Sequence, residues 1–342
     1  MKRIALFAPL ISVLIGLALS LLLVMALGES PILVLQVLAN GAVGSATSFG
    51  YSLFYATPLI FTGLSVWWSL RAGLFNIGAE GQMTVGGAAM AVVGIVLSSL
   101  PSWLAWPVAL LAGFGAGAIW AYIVAWFKIH RGTHEVLTSI LLNFVSYGVA
   151  GVLILNVFRN PSVQTPETLE VGSGFWLPEM NAIGGSSPLN VSFIFAVLCV
   201  FVVDAVMQKS VFGLRTRWVG SAPEFARRTG VATSRQTMMA LVISGGLAGL
   251  AGASMILGYA HKAREGFSSG AGFVGIAVAL LGGRRAIGVL LAALLFGALQ
   301  KGALDLDLDT EKISRDLAVV IQALVVIAVA TKSWLEAKRW NS

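Results

Sequence analysis

Repeated apolar runs of about 18 to 24 residues, separated by short polar punctuation, constrain this chain more than any other feature, because each is long enough to cross a hydrocarbon core of about 30 Å. They fall near residues 4 to 27, 49 to 70, 81 to 99, 103 to 127, 137 to 156, 190 to 207, 236 to 257, 271 to 282, 286 to 302 and 316 to 331, giving about ten spans. A soluble core cannot absorb that much apolar surface. The chain is 57% hydrophobic and 11% charged, with mean hydropathy +0.88, whereas an ordinary globular domain carries about 25% charged residues. The expected fold class is all-α: a polytopic membrane helical bundle forming one transmembrane domain over residues 1–342. The first run follows Lys2 and Arg3 as in a signal peptide, but its apolar part is too long and no clean small-x-small site follows, so it reads as a retained span. The one cysteine, Cys199, lies in an apolar run, which excludes a disulfide framework and a thiolate metal site.

Lys and Arg accumulate in short cytoplasmic loops, so their distribution orients the bundle. Counted from an inside start, the cytoplasmic segments hold sixteen basic residues, Arg71, Arg131 and Arg284 among them, and the external segments hold six, including Arg159, Lys262 and Arg264; together these are all 22. Both termini are therefore expected in the cytoplasm. The net charge of +7 is a topological bias and a match to anionic membrane lipid, and no nucleic-acid partner is needed to explain it. Trp103, Trp106, Trp126, Trp218 and Trp334 fall near span ends, as interfacial anchors do. The spacings Gly113 to Gly117 and Gly245 to Gly249 read as close helix packing without a chemical role.

Within this apolar background, residues 71–83 set Asn76, Glu80 and Gln82 among three glycines. In hydrocarbon, glycine-rich non-helical backbone survives only where protein or an aqueous cavity covers it, so the stretch fits a broken membrane helix lining a polar path. A short cytoplasmic turn, with Asn76 and Glu80 as helix caps, fits the same residues. The external loop of residues 157–189 carries Glu167, Glu170 and Glu179 and reads as solvated or as a face for a basic soluble partner. In the cytoplasmic loop of residues 208–235, Ser221-Ala-Pro-Glu224 matches a capping box, with Ser221 and Glu224 exchanging hydrogen bonds and Pro223 tolerated in the first turn. Arg227 and Arg228 suit the negative end of such a helix and Gly230 a left-handed stop. Phe225 and Ala226 near its start offer an apolar knob; the helix reads as either a lid or a docking peg.

Two segments together resemble the permease subunits of bacterial ATP-binding-cassette importers for nucleosides and simple sugars, the group related to ribose and branched-chain amino-acid permeases. One is Thr57-Pro-Leu-Ile-Phe-Thr-Gly63 leading into Ala72-Gly-Leu-Phe-Asn-Ile-Gly-Ala-Glu-Gly-Gln82. The other is Phe212-Gly-Leu-Arg-Thr-Arg217 followed by Pro223-Glu-Phe-Ala-Arg-Arg-Thr-Gly230 and Ser244-Gly-Gly-Leu-Ala-Gly-Leu-Ala-Gly252, with a third match at residues 272–282. The resemblance implies that residues 222–230 form the coupling helix seated in a groove of a cytoplasmic ATPase. It also implies a second permease chain in a heterodimer, an external substrate-binding protein or lipoprotein, and a bacterial inner membrane. Ala222 stands where the family usually has asparagine, and Val274 where it often has a polar residue.

No G-x-x-x-x-G-K-[ST] phosphate loop is present, so the chain is expected not to be an enzyme and to bind no cofactor itself; ATP with its Mg belongs to the partner ATPase. Paired Gly-interrupted stretches in the two halves, residues 73–94 and 258–283, point to a central pathway. The expected path-lining residues are Phe75, Asn76, Glu80, Gln82, Phe267 and Phe273: amides to hydrogen-bond ribose or base edges, rings to stack on a base. An ion-coupled secondary carrier is the alternative, but it calls for several acidic or histidine residues in mid-span, and only Glu80, with Asp204 and Asp316 near span ends, qualifies. Gly266-Phe-Ser-Ser-Gly270 matches a hydrolase elbow by accident, since no histidine follows Ser268. His130 and His134 have the spacing of a zinc pair without the H-E-x-x-H pattern and read as surface residues, so no metal is expected.

Overall fold

The computed structural model describes residues 15–309 except 17 and 27, together with 320, 323, 324 and 327. The chain runs through α1 (Pro31–Val43), α2 (Ala46–Arg71), α3 (Ala79–Val96), α4 (Ser102–Arg131), α5 (Glu135–Val152), a short α6 (Asn181–Gly184), α7 (Ser192–Lys209), α8 (Val211–Ser221), α9 (Pro223–Arg228), α10 (Thr233–Leu250), α11 (Gly252–Met255), α12 (Ala271–Gly282) and α13 (Ala286–Asp309). A π turn extends α5 to Val157, and another extends α11 to Ala260. No strand occurs among the described residues; the loop of residues 157–190 carries isolated antiparallel bridges, such as Glu167 to Arg264 and Glu179 to Asn190.

Among the described residues, seven helices are long and apolar enough to cross a membrane, and they match seven of the expected runs. The run at 271 to 282 is helical over those bounds, but its 12 residues rise only about 18 Å, too short to span alone. Helix α1 was not expected: its 13 residues include Gln36 and Asn40, which break the apolar run. The runs at 4 to 27 and 316 to 331, and with them the termini, lie largely outside the described residues.

Helix α2 is the spine. Its most apolar window is 89% buried, against 22% for the α5 span, so α2 is enclosed by protein while α5 turns Leu137, Leu141 and Phe144 outward. Trp67, Trp68 and Phe61 fill the space around α2. Pro58 sits inside this helix, and the hydroxyl of Thr62 donates to the Pro58 carbonyl at 3.0 Å and to the Ala271 carbonyl at 3.1 Å, tying α2 to the start of α12. Helices α4 and α10 cross through the two small-residue spacings noted above. A Cβ added to Gly117 would lie 2.9 Å from the Gly249 Cα, so side chains are excluded from the crossing and the backbones meet directly.

The loops sort to two ends of the bundle. At one end Arg71 donates to the Gly283 carbonyl (2.8 Å), Lys128 pairs with Glu135 (2.6 Å) and Arg285 pairs with Asp204 (3.2 Å). At the other, Gly172 bonds the Gly94 carbonyl (2.9 Å), and Glu167 binds Lys262 (2.7 Å) and Arg264 (3.0 Å). Helices α8 and α9 belong to the first end, where a Cβ on Gly73 would lie 3.0 Å from the Gly220 Cα.

Candidate functional site

After Arg71 the chain does not leave the bundle. Gly73 adopts φ +72°, a left-handed conformation that suits glycine, and turns the backbone inward. Asn76 then reaches Ser65, six residues or about 9 Å back along α2. Residues 72–78 are thus a re-entrant segment, intermediate between the broken helix and the simple turn expected from sequence, and α3 begins inside the protein. Irregular backbone at this depth needs internal partners, and the side chains supply them. The Asn76 and Gln82 amides bond each other reciprocally (2.8 and 3.1 Å), Asn76 Nδ2 donates to Ser244 Oγ (2.8 Å), and Asn76 Oδ1 accepts from the Gly78 amide (3.0 Å). Asn143 of α5 closes the other side: its Oδ1 accepts from the Gly81 amide (3.0 Å) and its Nδ2 donates to the Ile77 carbonyl (3.1 Å).

Glu80, in the first turn of α3, is 1% exposed and points at the start of α12. Its Oε2 accepts from the Gly272 amide (2.7 Å), and its Oε1 accepts from Ser268 Oγ (2.5 Å), the Gly270 amide (3.3 Å) and Tyr147 Oη (3.3 Å). A carboxylate at a helix N-terminus meets the positive end of the dipole. The opposite end of α12 is held in the complementary way, with the Gly283 carbonyl accepting from Trp67 Nε1 (3.0 Å) and Arg71 Nη2 (2.8 Å). The α2–α3 unit therefore supplies an anion to one end of the short helix and a cation to the other.

The expected path residues separate into two groups. Asn76, Glu80 and Gln82 are at most 1% exposed, with their polar atoms engaged by protein. Phe267 is half-buried and lines a cavity of about 310 Å³ together with Thr84, Tyr147, Ile154 and Ser268. Phe273 is exposed on α12, and Phe75 is half-buried beside Glu135. Tyr147 and Ser268 both bond Glu80 and line that cavity, so the carboxylate sits directly behind its wall.

At the first end, Pro223 opens α9 and Gly230 stops it at φ +80°, as the sequence implies. The capping box does not form. Ser221 is the last residue of α8 and donates to the Arg217 carbonyl (2.8 Å), Ala222 occupies the N-cap position without a side-chain bond, and Glu224 pairs with Arg227 (3.4 Å) in solvent. Continuation of α8 to Ser221 turns that hydroxyl away from Glu224. Ala226 is fully buried, whereas Phe225 is 50% exposed with its ring edge on Trp218 (5.3 Å between centroids); Arg228 lies on the exposed side. His130 stacks on Trp126 and His134 caps α5 through the Val136 amide, so the histidine pair does not converge. Among the described residues, no group of three or more His, Cys, Asp or Glu could hold a metal ion.

Sequence reading missed Ser65, Ser244, Asn143, Tyr147 and Ser268. A polar residue in an apolar run was the available signal for the first four, but their partners are 62 to 179 residues distant or belong to another helix.

The sequence matches, over residues 48–330, the family described as branched-chain amino acid transport system / permease component. Similar proteins include the guanosine ABC transporter permease protein NupP of Bacillus subtilis, 35% identical with 96% of this chain and 94% of that one covered. The nucleoside ABC transporter permease protein NupB of Lactococcus lactis is 31% identical, covering 96% and 91%. The guanosine ABC transporter permease protein NupQ of Bacillus subtilis is 28% identical, covering 73% and 79%. With the match spanning nearly the whole helical bundle, the re-entrant Asn76 to Gln82 segment and the α8–α9 loop included, this chain belongs to the family of branched-chain amino acid transport system permease components.

Proposed function

We propose that this chain is one of two permease subunits of an ATP-binding-cassette importer and forms half of the path for a nucleoside or related simple sugar. The observation that carries the reading is α9: a six-residue helix opened by Pro223, with Phe225 half-exposed, on the same end of the bundle as the Arg71 to Gly73 turn. A groove in a cytoplasmic ATPase that accepts Phe225, with Glu224, Arg227 and Arg228 around it, would move α8, and Gly220 would bear on Gly73 and the re-entrant segment. That end is then cytoplasmic, in keeping with its basic residues, and both termini lie inside. ATP and its Mg stay on the ATPase.

In this reading Phe267 and Phe273 face the permeant. Phe75, Asn76, Glu80 and Gln82 form the wall behind it, fixing α12 and the re-entrant backbone. The second permease is a different chain, by analogy with NupP and NupQ, two guanosine permease proteins of one organism. An external binding protein or lipoprotein delivers the substrate. An ion-coupled carrier is disfavoured because the Glu80 carboxylate is engaged by two backbone amides and two hydroxyls as the cap of α12, a structural role that accounts for its burial.

The test is guanosine uptake into vesicles reconstituted with the ATPase, both permeases and the binding protein. Uptake that requires all components and internal ATP is expected. Uptake by this chain alone, or uptake driven by an ion gradient, would overturn the reading.

A further inference from the structure

At the end of the bundle opposite α9 lies a second cavity, of about 560 Å³, inside the range of about 300 to 1,000 Å³ typical of small-molecule sites. Its lining includes Tyr51, Tyr259, Glu179, Asn181, Ser186 and Ser187. We infer that this cavity is a receiving subsite for an uncharged nucleoside, with the Tyr259 and Tyr51 rings taking the base and Glu179 and Asn181 taking hydroxyl or amine donors; the inference rests on the importer reading above.

Both rings line the cavity and are held by neighbouring side chains. Tyr259 is 54% exposed and lies edge-on to buried Phe54, at 5.5 Å and 64°. Tyr51 is half-buried, stacked on Tyr55 (6.3 Å between centroids) with the Lys301 ammonium 5.4 Å from its ring centroid, so it borders the base beside the more open Tyr259. Lys301 is itself paired with Asp305. Bases of any sequence stack on such rings. The polar side of the cavity is equally built. Glu179 is anchored by its backbone bridge to Asn190 and accepts from Asn181 Nδ2 (3.3 Å), while the Ser186 amide reaches Thr47 Oγ1 (3.4 Å) at the start of α2. The lining carries one carboxylate and no cation, and the nearby Lys301 is neutralised by Asp305, so a phosphorylated nucleotide is disfavoured by charge while a neutral nucleoside is not. Tyr259 belongs to the π turn that ends the α10–α11 span, and π turns concentrate at functional sites.

The experiment is equilibrium binding of radiolabelled guanosine to the complete transporter in nanodiscs without the binding protein, alongside the vesicle uptake assay. Saturable binding is expected, weakened about tenfold by Tyr259→Ala, as loss of one stacking ring implies, weakened similarly by Tyr51→Ala, and largely recovered in the ring-retaining Tyr259→Phe. Variants are compared as complexes that still co-purify with both partners. Binding unchanged in both alanine variants, or no saturable binding while guanosine uptake proceeds, overturns the subsite and leaves the importer reading standing. A wild-type complex that takes up no nucleoside overturns the importer reading and the subsite with it.

Discussion

The carboxylate of Glu80 receives the backbone amide of Gly272 at 2.7 Å across 192 residues of chain, so the first turn of α3 caps the first turn of α12. Approach this close is available only because position 272 is glycine: a Cβ there would collide with the Glu80 backbone. Replacing Glu80 with alanine strips the α12 N-terminus of its acceptor and leaves Ser268 unpaired in the interior. Glu80→Ala is expected to destabilise the protein by about 2 to 4 kcal/mol and Glu80→Gln by less, since the amide keeps an acceptor but loses the charge. Thermal unfolding in detergent reads both, and equal stability of Glu80→Ala and wild type would remove the cap from the account.

The α4–α10 crossing tolerates no side chain at Gly117 or Gly249. Gly249→Val should cost about 1 to 3 kcal/mol or more through overpacking, seen as loss of monodisperse protein on size exclusion. Gly115→Val is the matched control, because a Cβ there meets nothing within 4 Å.

Phe225 and Glu224 are exposed and support no core packing, so their removal should spare insertion and folding. If α9 is the docking peg, the double alanine variant is expected to lose about tenfold or more in ATP-driven uptake, the scale of an anchor residue's contribution. Hydrolysis by the partner ATPase should continue, uncoupled. Normal uptake by that variant would exclude α9 from coupling.

On the loop of residues 157–190, the hydrogen bond from Lys262 holds the Glu167 carboxyl below the usual carboxylate range, against the opposing pull of burial and with further help from Arg264. A depressed folded-state value means that the pairing stabilises the protein fully above the ordinary Glu value of about 4.3. The stabilisation is lost as pH falls below that value and through the depressed one. Thermal stability of wild type should therefore drop more steeply than that of Glu167→Gln between pH 5 and the acid limit, whereas parallel curves would show that the cluster contributes nothing.

The seven long spans and the left-handed stop at Gly230 were legible in the sequence because they depend on local properties: apolar length and one residue's backbone freedom. Even the Gly113, Gly117, Gly245 and Gly249 spacings announced a close crossing, though not that they cross each other. Local rules failed where two elements compete for one residue. Ser221 fits a capping box by spacing, yet α8 continues far enough to claim it. They failed again where a polar side chain's partner is distant in sequence. Asn76, Glu80 and Gln82 were recognisable as exceptional in an apolar chain, but a permeant and a protein neighbour demand the same hydrogen-bonding groups. Only the tertiary structure brought Ser244, Ser268 and the amide of Gly272 against them, because burial in a bundle is decided by which helices meet, and no periodicity within one helix encodes its partner.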